Sequence, residues 1–154
     1  MTFEGGIYVI RNMVSGALDA GGGAGAATAV SIARKAGIKA FYSPAPRFAS
    51  TMTARANVRS LQDLPGKKIG VQEVGGFADV LSRMVLSQAG LKPEDVTFVP
   101  IASADVPPLL AGFIDTAILH VDQLILARRK EPSLHPLAIV QDTLRGLPRV
   151  ADYD

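Results

Sequence analysis

The sequence predicts an α/β fold with a mostly parallel sheet. Runs rich in β-branched and aromatic residues alternate with runs of helical period, and the connections between them are short and carry glycine or proline. Hydrophobic residues make up 48% of the 154 and charged residues 19%, the balance of a chain that packs a core rather than one that stays disordered.

In chain order, the apolar run Ile7-Tyr8-Val9-Ile10 is too short for periodicity to choose between strand and helix. A small-residue stretch then predicts a helix over residues 24–36, stopped by Gly37. Residues 38–42 read as a strand, punctuated by Pro44 and Pro46. Residues 47–59 have no regular pattern. Ser60 caps one helical turn before Pro65-Gly66, and Ile69-Gly70-Val71 is a buried strand.

Gly75-Gly76 opens the clearest helix of the chain. Phe77, Val80, Leu81, Met84, Val85 and Gln88 share a stripe, and Gly90 ends it. Residues 96–99 form a strand, Ser103 caps a helix to about residue 111, and residues 114–119 form another strand. Asp122 caps a helix reaching Arg129, and residues 137–140 make the last strand. A Gly-x-(Leu/Ile)-Asp pattern occurs twice, at Gly16-Ala17-Leu18-Asp19 and Gly112-Phe113-Ile114-Asp115, each time after a helical stretch, as in a chain of two similar α/β lobes.

Several chemistries are excluded. Without cysteine there is no disulfide, thiolate metal site or cysteine nucleophile. Sixteen basic against 14 acidic residues give a net charge of +2, and the basic residues are scattered apart from Arg128-Arg129-Lys130 at a helix C-terminus, so no nucleic-acid partner is implied. The longest uncharged stretch, residues 20–33, has 14 residues with four glycines, short of the roughly 20 apolar residues of a membrane span. No export signal is visible at the start. His120 and His135 lack the spacing of a zinc pair, so neither a metal nor a cofactor is expected. No nucleophile, base and orienter can be assembled from one region of the chain.

Gly21-Gly22-Gly23-Ala24-Gly25-Ala26 has the spacing of a dinucleotide fingerprint but no carboxylate follows in residues 38–46, and Gly66-Lys67-Lys68 lacks the rest of a P-loop. What remains is two glycine-opened helix N-termini, at Gly22-Gly23-Ala24 and Gly75-Gly76-Phe77, able to offer backbone N–H groups to an oxygen-rich ligand. His120, at the carboxyl end of a strand, stands where ligands of open α/β sheets bind.

The run Ser60-Leu61-Gln62-Asp63-Leu64-Pro65-Gly66-Lys67-Lys68-Ile69-Gly70-Val71, then Gly75-Gly76, Gly90-Leu91-Lys92-Pro93-Glu94-Asp95-Val96 and Leu110-Ala111-Gly112-Phe113-Ile114-Asp115-Thr116-Ala117, resembles the substrate-binding proteins of ABC importers for nitrate, sulfonate and taurine, the NMT1/THI5-like family. The resemblance implies a type 2 periplasmic-binding-protein fold of two lobes, truncated here at both ends. Residues 1–55 are then an incomplete lobe one, 56–140 lobe two, and 141–154 the start of the return to lobe one. It implies a periplasmic protein that binds a small anionic solute, of the sulfonate, nitrate or carboxylate type, between its lobes and presents it to a membrane permease. The ligand-binding positions carried over are Gly22, Gly23, Ala24, Ser43 and Arg47 in lobe one, and Gly75, Gly76, Phe77 and His120 in lobe two. Exposed lobe-one edges would favour a homodimer. The alternatives are an enzyme on the same scaffold and a cytosolic ligand-sensing domain.

Overall fold

The computed structural model describes residues 6–22, 28, 31–42, 50–101 and 106–143. The elements run α1 (Gly6–Val14), β1 (Ser50–Ala54), β2 (Lys68–Val71), α2 (Phe77–Gln88), β3 (Thr97–Pro100), α3 (Val106–Leu110), β4 (Thr116–His120), α4 (Val121–Lys130), β5 (His135–Ile139) and α5 (Val140–Thr143). The strands form one sheet in the order β3-β2-β4-β1-β5. β2 pairs in parallel with β3 and β4, while β1 lies antiparallel between β4 and β5. The α/β class holds, and β1 is the strand that departs from the parallel expectation.

Alternating side chains along the strands feed two cores, one on each face. Met52, Ala54, Ile69, Val71 and Ile118 pack under α2 and Val140 on one side. Ala117 and Leu119 join Ile101, Leu109, Ile114, Ala127 and Leu134 under α3 and α4 on the other. Each fully buried Leu or Ile contributes about 1.5–3 kcal/mol relative to exposure. Gly70 sits where a Cβ would press on the tips of Ile101 and Ile114, so the second core closes over a strand position that has no side chain.

β1 falls within the stretch that showed no pattern. Its sequence, Ser-Thr-Met-Thr-Ala, carries too few apolar residues to look like a buried central strand, yet all five residues are buried. Its polar atoms find partners. Thr51 Oγ1 and Thr53 Oγ1 are 2.9 Å apart, and Thr116 Oγ1 donates to Thr53 O at 2.7 Å. The expected division after residue 55 would cut β1 from its sheet; the sheet-bearing unit begins at Ser50.

Other expectations shift. Residues 38–42 form no strand, and Phe41 and Tyr42 are 87% and 76% exposed; β-propensity alone makes no strand without a paired neighbour. Ile7 to Ile10 belong to helix α1. The buried face of α2 is Ala78, Asp79, Leu81, Ser82, Val85 and Leu86, rotated from the expected stripe, with Gln88 exposed. His120, not Asp122, caps α4, and β5 begins at His135. The predicted helix 24–36 is helical at Thr28 and 31–33, with Gly37 in the left-handed region as expected; its other early residues and Ser103 lie outside the described residues. The turn at Ser60 forms as a 3-10 turn, Leu61–Asp63. There Asp63 Oδ2 accepts the N–H groups of Arg59 and Ser60, and those two bonds hold its carboxyl below the ordinary value of 3.8.

Asp115 ties the amino ends of the sheet together. Its Oδ2 accepts the Lys68 N–H at 2.9 Å, its Oδ1 accepts Asn57 Nδ2 at 3.2 Å, and its backbone exchanges bonds with Lys68 and Arg55. Arg55 Nη1 in turn donates to Leu109 O at 3.0 Å, holding the end of α3. Asp115→Ala should lower stability by about 2 kcal/mol, since the Lys68 N–H at the start of β2 and the Asn57 amide lose a charged acceptor, read as a lower urea midpoint. Ser82 Oγ is buried with no hydrogen-bond partner among the described residues. Ser82→Ala should therefore leave stability unchanged or raise it by up to about 1 kcal/mol in the same titration.

Candidate functional site

The carboxyl ends of β2 and β4 and the amino end of β1 meet at one edge of the sheet, because β1 runs against its neighbours and Ser50 pairs with His120. The loop after β2 leads through Gly75 and Gly76 into α2, and β4 passes directly into α4. This edge is where open α/β sheets bind ligands.

Gly75 takes a φ of +78°, the left-handed turn that aims the chain into α2, and Gly76 is the N-cap. Gly76 is buried, and a Cβ there would run into the Glu73 side chain. Two backbone donors before the α2 terminus are already taken. The Gly75 N–H goes to Asp79 Oδ2 at 2.7 Å and the Gly76 N–H to Glu73 O at 3.2 Å. Asp79, 2% exposed, is also held by Arg83 Nε at 2.8 Å. A buried carboxylate in the first turn already answers the positive end of the helix dipole. The Arg83 guanidinium also lies 4.4 Å from the centre of the Phe98 ring.

Phe77 and His120 are brought together: their rings stack with centroids 6.3 Å apart and planes 12° from parallel. His120 Nδ1 lies 3.3 Å from Ser50 Oγ, and its backbone N–H donates to Gln123 Oε1 at 2.9 Å. The His120 ring is exposed while Ser50 is 2% exposed. Of the sequence-derived positions, Gly75, Gly76, Phe77 and His120 thus share one edge. Gly22 is exposed in the stretch after α1 and takes no part in these contacts. Gly23, Ala24, Ser43 and Arg47 lie outside the described residues. Sequence reasoning missed Ser50, Asp79 and Gln123. An acid three residues after an N-cap glycine was the available signal for Asp79, and Gln123 three residues after His120 is the same pattern.

A recess of about 420 Å³ is at the other end of the sheet, lined by Arg55, Asn57, Gly112, Asp115, Glu131 and Ser133. Asn57 is bonded to Asp115 there, and Arg55 donates to the Leu109 carbonyl outside the recess. Glu131 Oε1 accepts the Ser133 hydroxyl and N–H, which hold the Glu131 carboxyl below its ordinary value. Among the described residues no cluster of three His, Asp or Glu could hold a metal, and no helix is long and apolar enough to cross a membrane.

A mixed sheet with helices on both faces is one unit of the periplasmic-binding-protein fold. The alkanesulfonate-binding protein SsuA of Xanthomonas axonopodis pv. citri, solved bound to MOPS, superposes with a TM-score of 0.71 at 25% identity, over 90% of this chain and 48% of its own. The chain belongs to the NMT1/THI5-like family, whose model matches residues 4–141. A protein of Brucella abortus, provisionally named as a binding protein, is 30% identical over 91% of this chain and 43% of its own length. A Haemophilus influenzae protein provisionally assigned to thiamine biosynthesis is 34% identical over 53% of this chain and 27% of its own. The chain spans less than half the length of these relatives.

Gly75→Ala meets no steric obstacle, since nothing lies within 4 Å of the added Cβ, so its cost is conformational alone. It should destabilise by about 1–2 kcal/mol, measured by thermal or urea unfolding.

Proposed function

We propose that this chain forms one lobe and part of the other in a two-lobed solute-binding protein. That protein carries a small, oxygen-rich anionic solute, of the sulfonate, nitrate or carboxylate type, through the periplasm to an ABC permease. Residues 50–143 supply lobe two and the preceding residues belong to lobe one. The observation that carries the reading is the stacked Phe77–His120 pair beside the Gly75-Gly76 turn at the carboxyl edge of the sheet. Likeness to an alkanesulfonate-binding protein supports the solute class. The pair offers the solute a flat apolar contact and a hydrogen-bonding ring. With Asp79 already at the α2 terminus, the solute's net charge is balanced mainly by the opposing lobe. Closure of the lobes over the solute presents the shape that the permease recognises. The chain acts by binding, without turnover.

A thermal-shift panel of alkanesulfonates, nitrate, carboxylates and pyrimidines tests this. A true ligand at about 100 times its Kd adds roughly 2.7 kcal/mol of stability. No shift across the panel removes the solute class, and conversion of a ligand to product replaces binding with the enzyme alternative. For a solute that binds, Phe77→Ala and His120→Ala should each weaken affinity by about tenfold, or about 1.4 kcal/mol, by calorimetry.

A further inference from the structure

Ser50 is a buried hydroxyl at the first position of β1, opposite His120 in the register. Its one hydrogen-bond partner among the described residues is His120 Nδ1, at 3.3 Å. A serine hydroxyl carries one donor and two acceptor lone pairs, and leaving a buried donor without an acceptor costs more than leaving a lone pair idle. With Nδ1 as its one candidate acceptor among the described residues, the O–H is assigned as the donor to a bare Nδ1. In neutral histidine a bare Nδ1 places the proton on Nε2, because the bond at one ring nitrogen sets the state of the other. Nε2 has no partner among the described residues, and the ring that carries it is exposed. Stacking on Phe77 restrains the ring plane, and the Gln123 side chain restrains the backbone that bears it.

We propose that Ser50 is a positioning residue that sets the His120 tautomer, so that Nε2–H is offered as a donor to an oxygen acceptor on the solute. This deepens the solute-binding reading and rests on it for the identity of the acceptor's owner. At this contact the site selects a sulfonate, carboxylate or carbonyl oxygen and disfavours an ammonium group, which has no lone pair to accept with.

The ring state is measurable without any solute. Long-range proton–nitrogen correlation spectra of the full chain at neutral pH report the tautomer of each histidine, and His135 serves as the internal control. The expected result is an Nε2–H ring at His120 in the native protein and in Ser50→Thr, and a mixed population in Ser50→Ala, with His135 unchanged. An Nδ1–H ring in the native protein, or an unchanged ring in Ser50→Ala, overturns the proposal. Calorimetry with an alkanesulfonate then reads the consequence. Ser50→Ala should weaken binding by about three- to tenfold, while Ser50→Thr stays within about twofold, the scale of one hydrogen bond. Equal affinity in both variants also overturns it. If no alkanesulfonate binds the native protein although the tautomer is as stated, the solute reading fails and the positioning of the ring by Ser50 stands.

Discussion

The Asp115 carboxylate joins three pieces of chain that are far apart in sequence. One oxygen takes the N–H that opens β2, and the other takes the Asn57 amide from the turn after β1, while Asp115 itself leads into β4. Parallel strands have no tight turn to set their register, so something else must align β2 with β4. The carboxylate does that from the amino end. With Ile69 opposite Thr116 and Gly70 opposite Ala117, the carboxyl ends of both strands arrive at the same edge as Ser50. The stacking of Phe77 on His120 and the bond from Ser50 to His120 are consequences of that register. A slip of one residue would send every side chain of β4 to the other face.

The same constraint explains the glycine before it. Gly112 adopts a φ of +75° and lies against the Arg55 guanidinium, which also caps α3. A side chain at Gly112 would collide with the group that holds the helix end. The Gly-x-(Leu/Ile)-Asp pattern is therefore a stop, a turn and a staple in four residues. Its earlier copy makes the same turn. The N–H groups of Ala17 and Leu18 both reach Asn12 O, as those of Phe113 and Ile114 both reach Pro108 O. Gly16 and Gly112 each donate to a carbonyl three residues back.

What could be read from the sequence follows from how local the causes are. The glycine stops, the α2 start, the strand at residues 69–71 and the placing of His120 at a strand end rest on signals within a few residues, and the structure has each of them. β1 could not be read, because its burial depends on Thr116, more than sixty positions away, satisfying Thr53 O. The strand expected at 38–42 fails for the converse reason. Its propensity is high, but nothing pairs with it among the described residues, and Phe41 stays in solvent. The α2 terminus was legible as a glycine-opened helix; the acid at Asp79 was there to be seen, but its bond back to the Gly75 N–H is set by the fold.

That last point changes how the edge can recognise anything. A bare helix terminus would attract an anion through its dipole, and the attraction would be weakly selective between anions of one charge. Here Asp79 answers the terminus and is itself paired with Arg83, and the exposed group beside it is the His120 ring stacked on Phe77. Recognition at such a surface depends on shape and on the direction of hydrogen bonds rather than on net charge. A donor of fixed direction discriminates between ligands by what happens when it is left unpaired, which is a larger effect than a long-range field screened by salt. On the proposed reading, the buried carboxylate at the α2 terminus leaves the direction of the His120 N–H as the contact that discriminates between solutes.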